Sequence, residues 1–510
     1  MRSITLSPTK ILPRHIFQYI LNIIFWFSAL EIIVGSYIST QSLDEPTHQR
    51  YLEEDFRYLP WASEQPVSRI WDGSGNAFEF LGHLLNSYFG NDQLFRVVSN
   101  STQSIQIRHL LIGILGISTC LAIRRLSHRS YSKICLIAST ILIATPVFKG
   151  NSFFNPKDIP FAAGFTFLWV AIINLRGCMP GVKHISRMNT FFLVFGSFLS
   201  IGTRPGSIPF ILLIWAYGFI TMPKIRKKIT LAMLVGLIFC FIVNPRSWEN
   251  PFYWIIKHSM SSARNNYWNG VNLLYGSTIN GHDLPWWYIP GLLAIQFSLI
   301  LILLVIFSIP LLINRNKLKS INLKSVRVNS DEIFILILLV LPILLAILSK
   351  SVLYNNARQL LFLYPLLSVV VAKVIHDSSQ HKKLAWNAVK FSLCLSLIIP
   401  TVEGVRIFPY NYIWINEIAR AIGSNDKWEF DYWALSGKEV NSKIPKNEII
   451  YNWPYDAEAI VTSKDIWFSG WLDPNFRKAP TNCKLNYVTR PLFPMEIKLS
   501  FYSHCTRKFL

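Results

Sequence analysis

Four groups of ionisable side chains stand where apolar stretches of this sequence begin or end. The first is the adjacent pair Asp44 and Glu45, followed by His48 and Tyr51, a few residues beyond an apolar run at Ile16–Ile38. Two carboxylates at such a place act as a general base or hold a cation, or they are simply two solvated loop side chains. The second is Asn155-Pro156-Lys157-Asp158-Ile159-Pro160, immediately before another apolar run. A helix starting there turns its positive end toward an anion, with Lys157 adding charge. Asp158 reads equally as an N-cap with Pro160 in the first turn. The third is Tyr354-Asn355-Asn356-Ala357-Arg358-Gln359, and the fourth is Arg204 within Gly202-Thr203-Arg204-Pro205-Gly206. An arginine at this depth either snorkels to the interface or grips a phosphate with its planar fork. Phosphate binding is the first reading for Arg358. Snorkelling or lipid contact is the first reading for Arg204, with phosphate in reserve.

The elements that must position these groups are membrane helices. The chain has 510 residues, 51% hydrophobic and only 15% charged, too few charges to cover a soluble protein of this length. Its net charge of +22 would suit a nucleic-acid partner if the basic residues gathered on one face. They fall instead in short runs between apolar stretches, as in cytosolic loops, so nucleic acid is excluded as a partner. A span needs roughly 20 apolar residues. About eleven are expected, near 16–38, 105–123, 132–149, 159–175, 188–203, 205–222, 228–245, 286–312, 332–349, 358–375 and 385–402. The pair at 188–203 and 205–222 reads also as one broken or re-entrant helix.

Alternate connections carry the basic residues, from Arg2, Lys10 and Arg14 through to Lys382 and Lys383. By the positive-inside rule those loops and the N-terminus are cytoplasmic. The loops 39–104, 150–158, 246–285 and 350–357, and the tail from 403, then face outward, and all four chemical groups fall on that side. Loop 39–104 is acidic, and its stretch from Asp44 to Tyr58 suits an amphipathic helix on the membrane surface. Loop 246–285 is rich in Trp, Tyr and Asn, residues that suit the headgroup layer or stacking on a sugar. The tail holds short strand-like pieces at Glu448–Tyr451 and Ala459–Val461. The expected fold class is therefore all-α and polytopic over 1–402, with a small extracytoplasmic α/β domain over 403–510. The first apolar run reads as a retained signal anchor. Seven cysteines show no metal-like spacing, and only Cys483 and Cys505 fall in the outer tail, where a disulfide would be between those two.

In order, side of the membrane and helix count, these residues resemble the GT-C superfamily of membrane glycosyltransferases. The likeness is to the protein O-mannosyltransferase-like branch, which includes lipid A aminoarabinose transferases and Rgt-type sugar transferases. It rests on Asp44-Glu45 with His48 and Tyr51, on Asn155 to Pro160, and on Arg358 in an Arg-x-Leu-Leu-Phe-x-x-Pro stretch ending at Pro365. It continues through Phe408 to Tyr412, Asn416-Glu417 and Phe430 to Trp433, and covers roughly 1–435. The resemblance implies an inverting hexosyl- or pentosyltransferase in the cell (inner) membrane. The donor partner is then a polyprenyl-phosphate sugar, and the acceptor an extracytoplasmic protein, lipid or envelope glycan.

In such a site Asp44 is the base, Glu45 positions it or the acceptor, and Asp158 orients Lys157 or sits near the acceptor. Lys157 and Arg358, with Arg204 in reserve, bind the leaving phosphate; His48, Tyr51, Asn155 and Tyr354 are substrate-side candidates. No cofactor is demanded by a local ligand set, and a divalent metal stays open. The competing reading is a transporter or flippase of a lipid-linked sugar, which usually keeps its charges near the midplane and shows internal repeats; neither feature is present here.

Overall fold

The computed structural model describes residues 13–42, 44–62, 75–127, 131–177, 185–264, 271–319, 330–354, 356–379 and 383–423, with shorter stretches between 427 and 503. Cys483 and Cys505 lie outside the described residues. The chain is mostly helical. Its outer loop after α1 (Arg14–Ile38) folds into α2 (Glu45–Phe56) and α3 (Ala77–Phe89). Next come α4 (Thr102–Arg124), α5 (Cys135–Ala144), α6 (Pro146–Asn151) and α7 (Asp158–Gly177). They are followed by α8 (Arg187–Thr203), α9 (Ile208–Thr221), α10 (Arg226–Ile242) and α11 (Pro251–Arg264). The series ends with α12 (Tyr288–Ile295), α13 (Leu299–Lys319), α14 (Ser330–Leu348), α15 (Tyr364–Ser379), α16 (Lys383–Ile407) and α17 (Glu417–Ile422). Among the described residues three antiparallel hairpins accompany them: β1–β2 (Val271–Leu274, Ser277–Asn280), β3–β4 (Ile449–Asn452, Ala457–Ile460) and β5–β6 (Lys484–Leu492, Met495–Ser503). The second hairpin overlaps the two strand-like pieces expected in the tail, of which Glu448 and Val461 lie outside the described residues. Helix α16 runs on to Ile407, past the domain boundary expected at 402.

Among the described residues, six helices are long and apolar enough to cross a membrane, or seven when α12 and α13, bent by 114°, are taken as one span. Helices occupy all eleven expected places, but the count of eleven treats each apolar run as one straight helix. Helices α8 and α10 have 17 residues each, and α5 has 10. Pro146 and Pro205 explain two of the interruptions, because a residue before proline is pushed out of the helical region. Thr145 and Arg204 accordingly have ψ of 112° and 85°. At the α12–α13 break the exposed backbone finds partners in the tail. The Asn416 side chain donates to Ala294 O at 2.7 Å and Phe297 O at 3.0 Å, and its N–H donates to Ile295 O at 2.8 Å. Broken helices within a membrane need such partners.

Helix α7 is the hub. Every residue from Asp158 to Leu175 is buried, as expected of a helix apolar all round. It crosses α8 where Gly164 and Gly196 let the backbones meet. A Cβ on Gly196 would lie 2.8 Å from Gly164 O and 2.9 Å from Leu168 Cγ. Small residues at such crossings replace the hydrophobic drive that lipid cannot supply. Gly196→Ala should therefore push α8 off α7 and cost about 1–3 kcal/mol. The expected readout is a lower thermal unfolding midpoint in detergent; an unchanged midpoint contradicts this packing.

At one end of these helices Arg176 (α7), Tyr217 (α9) and Asp331 (α14) meet, with Arg176 Nε and Tyr217 OH each 2.5 Å from Asp331 Oδ1. That is the end the charge pattern assigns to the cytoplasm. The opposite end holds the four chemical groups.

Candidate active site

A cavity of about 290 Å³ opens among five separate segments of the chain. Its charged wall is made of Asp44, Lys157, Asp158, Arg204 and Arg358. Its apolar wall includes Phe161, Phe210, Leu345, Leu360 and Phe362. From α14 it takes Pro342, Leu345 and Ala346, a spacing of three and four that marks one helix face, with Ser349 just past the helix end. The lining thus joins three basic and two acidic side chains to a largely apolar remainder.

Each element delivers its charge for a local reason. The chain turns into α7 on the Asn155 side chain, whose oxygen accepts the N–H of Asp158 at 2.9 Å and of Lys157 at 3.2 Å. Asn155 is therefore the capping residue, which frees the Asp158 carboxylate. That carboxylate accepts from Asn155 Nδ2 at 3.0 Å and pairs with Arg204. Arg204 occupies the break between α8 and α9 that Pro205 enforces. Arg358 opens the 3₁₀ turn Arg358–Leu363 ahead of α15 and bonds Asp44 Oδ2 at 3.0 Å, bridging 314 positions of sequence. Its guanidinium also lies between two aromatic rings, 4.7 Å from the Tyr354 centroid and 4.3 Å from that of Trp433. Stacking fixes the plane of the fork as well as its place. Trp433 is itself seated by Phe154 at 5.5 Å, so the tail after α16 reaches back to hold the site.

The cations are only partly committed. The Nε–H groups of Arg358 and Arg204 are buried with no hydrogen-bond partner. A buried donor left unpaired costs about 1–3 kcal/mol, so two of them on one cavity mark a site for an acceptor-rich ligand. Lys157 is half-buried. Burial lowers its pKa to about 7, opposed by Asp44 and reinforced by Arg204 and Arg358, with Asp158 opposing again.

The remaining predicted residues stand elsewhere. Glu45 turns away from the cavity, taking the Ser42 N–H and meeting His109 Nε2 at 2.8 Å. Asp44 and Glu45 are neighbours in sequence, but consecutive residues at a helix start point about 100° apart. His48 is buried on the inner face of α2, its ring 6.3 Å from that of Tyr51, and neither lines the cavity. Asn155 supports the site from behind, while Tyr354 lines it. Sequence reasoning gave no site role to Trp433, to His109, or to the buried set His83, Asp92 and Arg108. There Asp92 meets His83 at 2.8 Å and Arg108 at 3.2 Å. Loop 39–104 is acidic because its carboxylates build such pairs as well as facing solvent. Among the described residues no group of three or more His, Cys, Asp or Glu is placed to hold a metal ion.

No family model and no curated protein matches the chain. Among solved structures it is similar to the crystal structure of ArnT from Cupriavidus metallidurans bound to undecaprenyl phosphate. The likeness has 11% sequence identity and a TM-score of 0.44, and covers 85% of this chain and 83% of that one.

Proposed function

We propose that this protein is an inverting glycosyltransferase of the cell membrane that takes a sugar from polyprenyl phosphate and passes it to an extracytoplasmic acceptor. The observation that carries the proposal is the cavity itself, which three basic and two acidic side chains line together with an apolar stripe of α14 and Phe210 of α9. A lipid phosphate has the same division, an anion joined to a hydrocarbon chain. The charge pattern of the loops independently assigns Asp44, Lys157, Arg204 and Arg358 to the outer ends of their helices, and that agreement supports the orientation.

The steps follow from the geometry. The isoprenoid tail lies along Pro342, Leu345 and Ala346, while the phosphate meets Arg358, Arg204 and Lys157. At rest Arg358 is tied to Asp44 and Arg204 to Asp158. A phosphate that takes the unpartnered Nε–H of each guanidinium as well as a terminal N–H binds in the forked geometry and competes with the carboxylate for the arginine. Asp44 is thereby released to act as base. The acceptor hydroxyl attacks the anomeric carbon, its proton passes to Asp44, and the bond to phosphate breaks on the opposite face. The negative charge growing on the leaving phosphate is stabilised by the cations already aimed at it. Purified protein given a polyprenyl-phosphate sugar and envelope extract should release free polyprenyl phosphate; movement of intact lipid-linked sugar across a membrane without release contradicts the proposal.

Lys157 gives a pH signature. It is charged below about 7 and neutral above. A glycosylated lipid phosphate is a diester of fixed charge, so any change belongs to the protein. The KM for donor should hold steady on the acid side and rise as pH climbs through neutrality. Lys157→Arg, charged throughout, should flatten the rise; a rise that persists in this variant assigns it to another group.

A further inference from the structure

Behind the charged wall lies a second polar layer that the transfer chemistry leaves unused. Ser42 stands two residues before Asp44, and Thr203 one residue before Arg204. Glu79, on the first turn of α3, is acted on by Arg108, Glu45, Lys157 and Asp92. All three are more than nine-tenths buried. Ser42 Oγ, Thr203 Oγ1 and Glu79 Oε1 each lack a hydrogen-bond partner, as do Gln49 Nε2 and two nitrogens of Arg108. Buried polar atoms of proteins generally find a partner, so orphans gathered in one layer call for a ligand that bonds them.

The backbone ties this layer to the α8–α9 break that also presents Arg204. Gly75 N–H donates to Thr203 O at 3.2 Å. A Cβ on Gly75 would lie 2.1 Å from Gly202 O, so only glycine lets the start of α3 rest on the α8–α9 break. Asn76 N–H donates to Asn244 Oδ1 at 3.1 Å, and Asn76 Nδ2 donates to Asp55 Oδ2 at 2.5 Å. Further along, Gly82 brings α3 close to the Arg108 stem, 3.1 Å from where a Cβ would stand.

A phosphodiester carries its lipid on one oxygen and its sugar on another. The layer adjoins the phosphate-side residues, since Ser42 and Thr203 neighbour Asp44 and Arg204 in sequence and Glu79 is acted on by the charge of Lys157. Resting on the function argued above, we propose that Glu79 accepts a hydrogen bond from a hydroxyl of the donor's sugar, with Ser42 and Thr203 completing a subsite for a hydroxyl-rich ring. Hydroxyls both donate and accept, which matches a layer holding orphaned atoms of both kinds. Burial lifts the Glu79 pKa to about 7, against Arg108, so the carboxylate is poised to gain from a new donor.

The test compares two classes of probe on purified full-length protein: bare polyprenyl phosphate, and the polyprenyl-phosphate glycosides of glucose, mannose, galactose and xylose. Glu79→Gln should weaken the best-bound glycoside about tenfold, as expected when a hydrogen bond to a charged group is lost, and change bare-lipid affinity less than twofold. Glu79→Asp keeps the charge but withdraws it by one methylene, and gives the same selective loss where the Gln variant fails to fold. Equal losses on both probes, or no loss on either, overturn the proposal, since Glu79 would then act only through Lys157 or not at all. Wild-type protein that binds none of these lipids removes the transferase reading instead, a distinct result.

Discussion

Asp44→Asn protein accumulates in the membrane at normal levels, binds polyprenyl phosphate at least as tightly as the wild type, and turns over about a hundred- to ten-thousandfold more slowly. The rate loss follows from the role of a base: a sugar or serine hydroxyl holds its proton far above neutral pH, and positioned proton transfer contributes about 10²–10⁴-fold. The retained binding follows from the resting contact. Asp44 occupies Arg358 at 3.0 Å, so an uncharged Asn competes with the phosphate less than a carboxylate does. Asp44 is more than a third exposed, so removing its charge leaves the fold little changed. Steady-state release of lipid phosphate and equilibrium binding, measured on the same preparation, check both halves. Turnover near wild type would move the base to Asp158, the other carboxylate on the cavity.

The second large effect is at Arg358. Arg358→Lys keeps the charge but loses the fork, the orphaned Nε–H, and the stacking between Tyr354 and Trp433. Donor affinity should fall about 10- to 100-fold, equivalent to roughly 1.4–2.8 kcal/mol. Part of that loss should also appear in Trp433→Leu, which removes one face of the stack without touching the charge. An unchanged donor KM in Arg358→Lys leaves Arg358 with interfacial snorkelling and no role in the donor site.

Much of this site is legible in the sequence because charges are expensive beside hydrocarbon. Asp44, Lys157, Asp158, Arg204 and Arg358 stand out at the ends of apolar runs, and the alternation of basic loops puts them on one side. What the sequence does not disclose is pairing. That Arg358 meets Asp44 and Arg204 meets Asp158 depends on how α8 packs on α7 at Gly164 and Gly196, and on how the Arg358–Leu363 turn packs on α7. The direction of Glu45 depends on the buried face of α2, and a one-residue step on a helix reverses which carboxylate sees the cavity. Trp433 is invisible as a site residue because its role exists only once the tail folds back over Phe154. The span count differs for a related reason: apolar windows do not register the interruptions at Pro146, Pro205 and Gln296–Ser298, where buried backbone is satisfied by distant side chains such as Asn416.

The buried layer at Glu79 leaves no mark in the sequence pattern. Carboxylates in an outer loop look solvated, and only the packing of α3 on α4 and on the α8–α9 break takes Glu79 and Asp92 out of water.

The central claim is that a lipid phosphate occupies the cavity between α7, α9, α14 and the Arg358 turn. A density map of the protein with bound polyprenyl phosphate tests it most directly. The phosphate should lie within about 3 Å of the guanidinium of Arg358 and of Arg204 or Lys157, with the first isoprene units along Pro342 and Leu345. A phosphate bound at another face of the helices, with Arg358 still held by Asp44, would contradict the account.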